Sequence, residues 1–209
     1  MNNPSFIFIN GKGSSGKDTQ ADLLLQKIGD TAIRLSTGDI YRDAKNDTGE
    51  FARYHSVLAP YIENVDTGGY IPDEVIVDIV KEVLSEKLSE GKETFIFTGF
   101  PRTIPQLVLV DEMVRSLGAS SIYLMFDVSD ETSRERAAIR YDKCIKQGIS
   151  PRPEDVPDVV ENRLDTYRKK TYPMLLKLDR ENRLVKINAE GTIPEIESET
   201  RSKLFKERL

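Results

Sequence analysis

The chain has 209 residues, 38% of them hydrophobic and 31% charged, with a net charge of −5. That length suits one α/β domain with small insertions, and that charge excludes a general attraction to nucleic acid or to an anionic membrane. The single cysteine, Cys144, excludes an internal disulfide and a multi-cysteine metal knuckle.

In chain order, Phe6 to Ile9 is the first of five short apolar runs rich in β-branched and aromatic residues. It is too short for a signal peptide or a membrane span and no basic segment precedes it, so a cytosolic location is expected. The others are Ile33 to Leu35, Thr94 to Phe97, Ile122 to Phe126 and Leu184 to Ile187. Each is nearly continuous rather than alternating, which predicts strands buried on both faces of a parallel sheet. Helical spacing fills the gaps: Ala21 to Ile28, then Val75 to Leu88 entered through Pro72-Asp73-Glu74, then Leu107 to Leu117 closed by Gly118. A fourth pattern starts at Val156 and passes Leu164 and Tyr167, with a kink expected at Pro173. Strands alternating with helices predict an α/β fold, a doubly wound parallel five-stranded sheet with helices on both faces. Ligands of such sheets sit beyond the carboxyl ends of the strands.

The segment after the first strand reads Gly11-Lys12-Gly13-Ser14-Ser15-Gly16-Lys17-Asp18-Thr19-Gln20 and leads into a helix. Gly11, four intervening residues, Gly16 and Lys17 fit the phosphate-binding P-loop in its strand–loop–helix context. Glycines let backbone N–H groups converge on phosphate oxygens, and the helix N-terminus adds its positive end. Lys17 would reach the β and γ phosphates. Asp18 stands directly after it, so the hydroxyl for Mg²⁺ has to come from Thr19. The plainer alternative is a glycine-rich turn with an exposed lysine. By itself a P-loop indicates triphosphate binding and little about the reaction.

Three more segments follow strands: Leu35-Ser36-Thr37-Gly38-Asp39-Ile40-Tyr41-Arg42, Thr98-Gly99-Phe100-Pro101-Arg102-Thr103-Ile104-Pro105-Gln106, and Phe126-Asp127-Val128-Ser129-Asp130-Glu131 leading to Arg136 and Arg140. With the glycine loop, these resemble the adenylate kinase family in order and spacing from Phe6 to about Leu176. The resemblance implies a P-loop kinase that moves a phosphoryl group from Mg²⁺-ATP to AMP. It implies one kinase domain over 1–209, with a core of 1–36, 66–140 and 153–209, a monophosphate-binding insertion at about 37–65 and a short lid at about 141–152. It further implies an ATP site at Gly11, Gly13, Ser14, Ser15, Gly16, Lys17, Asp18, Thr19 and Arg136. The monophosphate site would be Thr37, Arg42, Tyr70, Ile71, Gly99, Arg102, Gln106, Arg152 and Arg163, with Gly68 where the insertion rejoins the core. Gln106 resembles the glutamine that reads adenine. Catalysis would rest on Lys17, Arg102, Arg136, Arg140, Arg152 and Arg163, and Mg²⁺ on Thr19, with Asp18 in the surrounding water shell. A monomer with small-molecule substrates, and neither nucleic-acid nor membrane partners, is expected.

The chemistry asks for such a set independently. Two phosphate chains must meet against mutual repulsion, so catalysis is positioning plus cations, and the fork of arginine suits phosphate. No general base is required, because the attacking phosphate oxygen is already anionic. For Arg136 and Arg140, four residues apart, the competing reading is a solvated stripe paired with Glu131 and Glu135. Arg163 lies among apolar positions, where an unpaired cation is costly and an anionic partner is expected. His55 is read as a surface residue and Cys144 as inert.

The sequence departs from the family pattern at four places. Gly13-Ser14 replaces the usual Pro-Gly, Asp18 replaces a glycine, and Thr98 replaces the aspartate of Asp-Gly-Phe-Pro-Arg that organises water around the metal. Asp18 is a candidate to restore the carboxylate missing at position 98. The fourth departure is the short lid from Tyr141 to Ser150, with Gly148 as a hinge element; with one cysteine and no histidine there, the zinc site of long-lid relatives is excluded. Within the class, Thr103-Ile104-Pro105-Gln106 favours adenine over the asparagine-containing segment of UMP/CMP kinases, and Gly99-Phe100-Pro101-Arg102 disfavours a thymidylate kinase. A nucleotide-binding regulatory protein with little turnover is the reading outside the class, and Thr98 is its evidence.

Overall fold

The computed structural model describes residues 3–206. All five apolar runs are strands: β1 (Ser5–Gly11), β2 (Ala32–Ser36), β3 (Thr94–Thr98), β4 (Ser120–Asp127) and β5 (Leu184–Asn188). They form one sheet in the order β2-β3-β1-β4-β5 with every pairing parallel. The order reverses direction on either side of β1, as expected of a doubly wound sheet.

Both faces are covered, which explains the continuous apolar runs. Phe6, Phe8, Phe95 and Phe97 point into one cluster with Ile76, Val80, Leu107 and Leu175. Ile7, Ile9, Ile96, Leu124 and Phe126 point into the other with Ala21, Ile187 and Ile196. Phe8 stacks between Phe97 and Tyr123 at centroid distances of 4.9 and 4.8 Å, the offset arrangement that aromatic pairs favour.

Ten α-helices alternate with or follow the strands among the described residues: α1 (Lys17–Ile28), α2 (Thr37–Asn46), α3 (His55–Leu58), α4 (Ile62–Asp66), α5 (Asp73–Ser89), α6 (Ile104–Ser116), α7 (Asp130–Lys146), α8 (Pro157–Thr166), α9 (Tyr172–Arg180) and α10 (Ile193–Lys206). None is long and apolar enough to cross a membrane.

The kink foreseen at Pro173 takes the form of a π turn, Tyr167–Thr171, between α8 and α9. Proline has no N–H for the carbonyl four residues back and its ring clashes there, so widening the turn just before it relieves both problems. The stretch from Tyr141 is not all loop. α7 continues to Lys146, and irregular chain is confined to 147–152 before a 3₁₀ turn at Pro153–Asp155. Gly148 has φ +66, a conformation suited to a turn.

Candidate active site

Four strand ends place the motif residues at one edge of the sheet. β1 ends at Gly11 beside Phe126, the last but one residue of β4, and a Cβ on Gly11 would lie 2.6 Å from the Phe126 carbonyl oxygen. Only glycine allows that approach, so the loop that follows is drawn tight against the sheet. It ends at Gly16, whose φ of 84 starts α1 without any side-chain cap. The first N–H groups of α1 are therefore free for an anion.

A cleft of about 800 Å³, open to solvent, runs along this edge. Gly13, Ser14, Gly16, Lys17, Asp18 and Thr19 line it on one side. Arg42, Arg102, Arg136, Arg140, Arg152 and Arg163 line it from α2, the β3–α6 loop, α7, the segment before the 3₁₀ turn, and α8. Gly11 and Ser15 do not line this cleft. Gly11 borders a smaller cavity beneath the loop, and Ser15 is fully buried with its hydroxyl unpartnered, so only its backbone can serve a phosphate.

A second, smaller pocket opens off the cleft and shares Gly38, Arg42, Arg102, Glu154 and Arg163 with it. Thr37, Tyr70, Ile71, Gly99 and Gln106 line it. Gly99 has φ +68 and its carbonyl accepts both the Thr37 hydroxyl at 2.9 Å and Arg102 Nε at 2.6 Å. The Arg102 guanidinium also lies over the Tyr70 ring, 4.9 Å from its centroid. Gly68 lines neither space. Its φ is +101 and a Cβ there would come within 3.2 Å of Arg163, so its place is in seating α8 against the chain returning from α4.

The cations are unevenly compensated. Among the described residues, Lys17, Arg102, Arg136, Arg152 and Arg163 form no ion pair with a carboxylate. Arg136 donates only to the Glu190 and Gly191 carbonyls, so the solvated stripe with Glu131 and Glu135 is not what forms. Burial pushes Lys17 down to about 8, with Arg102, Arg163 and Arg140 pressing in the same direction against the pull of Asp18. Burial, followed by Arg102, likewise pulls Arg163 below the usual arginine range. Lys17 and Arg163 are thus desolvated beside other unpaired arginines lining the same cleft. An anionic ligand is what would relieve them.

Other cations are held by carboxylates. Arg140 donates Nε to Asp155 at 2.6 Å and Nη2 to Ser14 at 3.1 Å, and Asp155 is 2% exposed. Arg42 pairs with Asp39 at 2.5 Å and Glu154 at 2.9 Å. Asp18 lines the cleft beside Thr98, which is 1% exposed. Burial opposes charge on Asp18, but Lys17, the Thr98 hydroxyl and Arg34 outweigh it and hold its carboxyl below the usual range.

Sequence reasoning missed several of these contributors. Glu154 stands two residues after the marked Arg152 and its partner Arg42 was also marked, yet the pairing spans 112 residues and no local pattern reveals it. Arg34 lies in β2 and touches Asp18, Asp22 and Asp39. Gly191, Thr192 and Ile193, at the entry to α10, line the cleft with Arg136. His55 is exposed, with Nδ1 2.8 Å from the Ala44 carbonyl, and Cys144 is half-buried.

Comparison with known proteins agrees with this geometry. The family model described as adenylate kinase matches residues 9–182. The chain is 31% identical over 194 residues to adenylate kinase isoenzyme 1 of Caenorhabditis elegans, covering 92% of this chain and 83% of that one. It is 34% identical over 196 residues to an adenylate kinase of Parabacteroides distasonis, covering 91% and 92%. With adenylate kinase isoenzyme 1 of Homo sapiens the identity is 29% over 194 residues, covering 92% and 90%. A P-loop and a ring of uncompensated arginines on a five-stranded parallel sheet, matched over most of its length, mean that the chain belongs to the adenylate kinase family of phosphotransferases.

Proposed function

We propose that this chain transfers the γ-phosphoryl group of Mg²⁺-ATP to AMP, giving two molecules of ADP. The observation that carries it is the meeting of two spaces at shared arginines. The large cleft begins at the free N-terminus of α1, the smaller pocket ends at Gln106, and Arg42, Arg102 and Arg163 border both. One phosphate chain held by the loop and one held by those arginines would meet end to end.

In this reading an oxygen of the monophosphate attacks the γ phosphorus in line, and the bond from that phosphorus to the β,γ-bridging oxygen breaks as ADP leaves. No proton need be removed from the attacking oxygen. Lys17, Arg102, Arg136, Arg140, Arg152 and Arg163 hold the charge that spreads over the equatorial oxygens. The segments 37–65 and 147–152, with the end of α7, are the parts that would close over the nucleotides and exclude water.

The residues present fit a hard, oxygen-seeking cation. Thr19 is exposed to the cleft, and Asp18 and the buried Thr98 line the same part of it. Thr19 would ligate Mg²⁺, and Asp18 would hold water around it in place of the carboxylate missing at position 98. Held there, Mg²⁺ would supply positive charge to neutralise the phosphates.

The test is ADP formation from Mg²⁺-ATP with AMP, CMP, UMP or dTMP as acceptor. AMP should be turned over best. Robust CMP or UMP turnover with none for AMP would overturn the acceptor assignment, and no turnover of any monophosphate would favour the nucleotide-binding regulatory reading.

A further inference from the structure

Gln106 opens the first turn of α6, is 2% exposed and borders the smaller pocket. Both ends of its amide are already engaged. The backbone N–H of Arg102 donates to Oε1 at 2.6 Å, and Nε2 donates to Asp73 Oδ1 at 2.8 Å. The same Asp73 oxygen accepts the Thr103 hydroxyl at 2.9 Å, and Thr103 in turn caps α6 by accepting the Gln106 N–H at 3.2 Å. A backbone N–H can only donate and an ionised carboxylate can only accept. Turning the amide over would set donor against donor and acceptor against acceptor, so its orientation is fixed by two partners that cannot adapt.

An amide has two oxygen lone pairs and two N–H hydrogens, and one of each is used here. What remains for a base is one lone pair and one N–H in fixed places. Adenine offers an amino group beside an unprotonated ring nitrogen. Hypoxanthine, of the same size and shape, offers a carbonyl beside a ring N–H, the inverse pattern. A free glutamine serves either by rotating half a turn; a pinned one serves only one. We propose that Asp73, at the first residue of α5, is a specificity-determining positioning residue, which locks Gln106 so that the pocket selects an amino-bearing acceptor base over its oxo counterpart. This rests on Gln106 reading the acceptor base, as in the proposed function.

The test is kcat/KM with Mg²⁺-ATP for AMP and for inosine monophosphate, on wild type, Asp73→Ala, Asp73→Asn and Gln106→Leu. Wild type should strongly prefer AMP. Asp73→Ala should lower the AMP-to-IMP ratio about tenfold, the worth of one misplaced hydrogen bond, chiefly through KM and with kcat for AMP little changed. Asp73→Asn, isosteric and able to accept through its oxygen, should fall between. Both substrates are assayed on one preparation, so an unfolded fraction cancels from the ratio, and Asp73→Asn carries the test if Asp73→Ala does not fold. If Gln106→Leu collapses the ratio while both Asp73 variants keep it within about twofold, Asp73 does not set specificity and the inference falls. If Gln106→Leu also leaves the ratio unchanged, the base-reading role of Gln106 fails with it. If wild type turns over neither nucleotide, the proposed function itself fails.

Discussion

Glu154 Oε1 lies 2.9 Å from Arg42 Nη1, so a carboxylate just after the 147–152 segment occupies an arginine of the smaller pocket. Burial works against the charge of Glu154, but Arg163 and then Arg42 outweigh it and hold its carboxyl below the usual range. If the smaller pocket takes the monophosphate, as proposed, this side chain competes with its phosphate for Arg42. Glu154→Gln keeps the shape and removes the competing charge, so AMP should bind about three- to tenfold more tightly by calorimetry, in line with the weight of a charge-assisted hydrogen bond. Weaker binding would mean that Glu154 orients Arg42 instead of competing for it.

Burial disfavours the charged form of Lys17 and pushes its pKa down to about 8. Polyphosphate supplies an opposite charge and should raise that value, so ATP binding near pH 8 should take up about half a proton. Titration calorimetry in buffers of different ionisation enthalpy measures it directly. Lys17→Met should abolish the uptake, and equal heats in all buffers for wild type would contradict the placement of Lys17 against phosphate. The same shift sets a sign for stability. A lysine whose folded pKa is depressed binds fewer protons folded than unfolded between about pH 8 and 10.5, so its contribution improves as pH rises through that window.

Asp18 and Thr98 both line the cleft, and they are the two positions that depart from the glycine and aspartate the resemblance leads one to expect. If Asp18 supplies the missing carboxylate, Asp18→Asn should raise the Mg²⁺ concentration for half-maximal nucleotide-dependent fluorescence or rate by about tenfold, the usual effect of removing such an outer carboxylate. Adding Thr98→Asp to that variant should restore it. An unchanged Mg²⁺ dependence in Asp18→Asn would remove the compensation idea.

Asp155 is buried and grips Arg140 through two hydrogen bonds, joining α7 to the 3₁₀ turn at Pro153–Asp155. Asp155→Ala leaves Arg140 partly buried without its partner and should cost about 2 kcal/mol of stability, read as a lower midpoint in urea with unchanged slope. A loss under about 0.5 kcal/mol would show that water replaces the carboxylate freely.

The sheet was legible because β1 and β3 at its centre are buried on both faces and read as short unbroken apolar runs, bounded by turn residues and alternating with helical patterns. α5 and α6 announced themselves by periodicity and by Pro72, Asp73 and Gly118. The region between α2 and α5 did not, since α3 and α4 span only His55–Leu58 and Ile62–Asp66, too short to show a period. The end of α7 was missed because Asp142, Lys143 and Lys146 make an exposed helix look like a polar loop. At the site, the cations were visible through their motifs, and their convergence on one cleft followed from strand ends. Their carboxylate partners were not visible. Glu154, Asp155, Arg34 and Asp73 act across long sequence separations, and a charged residue in a polar stretch carries no mark of the partner it will meet.

End-to-end meeting of two phosphate chains is tested most directly by following the label of γ-³²P-ATP in a single turnover with AMP and Mg²⁺. The label should appear in the β position of ADP formed from AMP, with inorganic phosphate far behind, and Arg102→Ala should slow that transfer by at least about 100-fold. Label released mainly as inorganic phosphate, or ATP left intact in the presence of AMP, would contradict the reading of this cleft as a site where two nucleotides are joined.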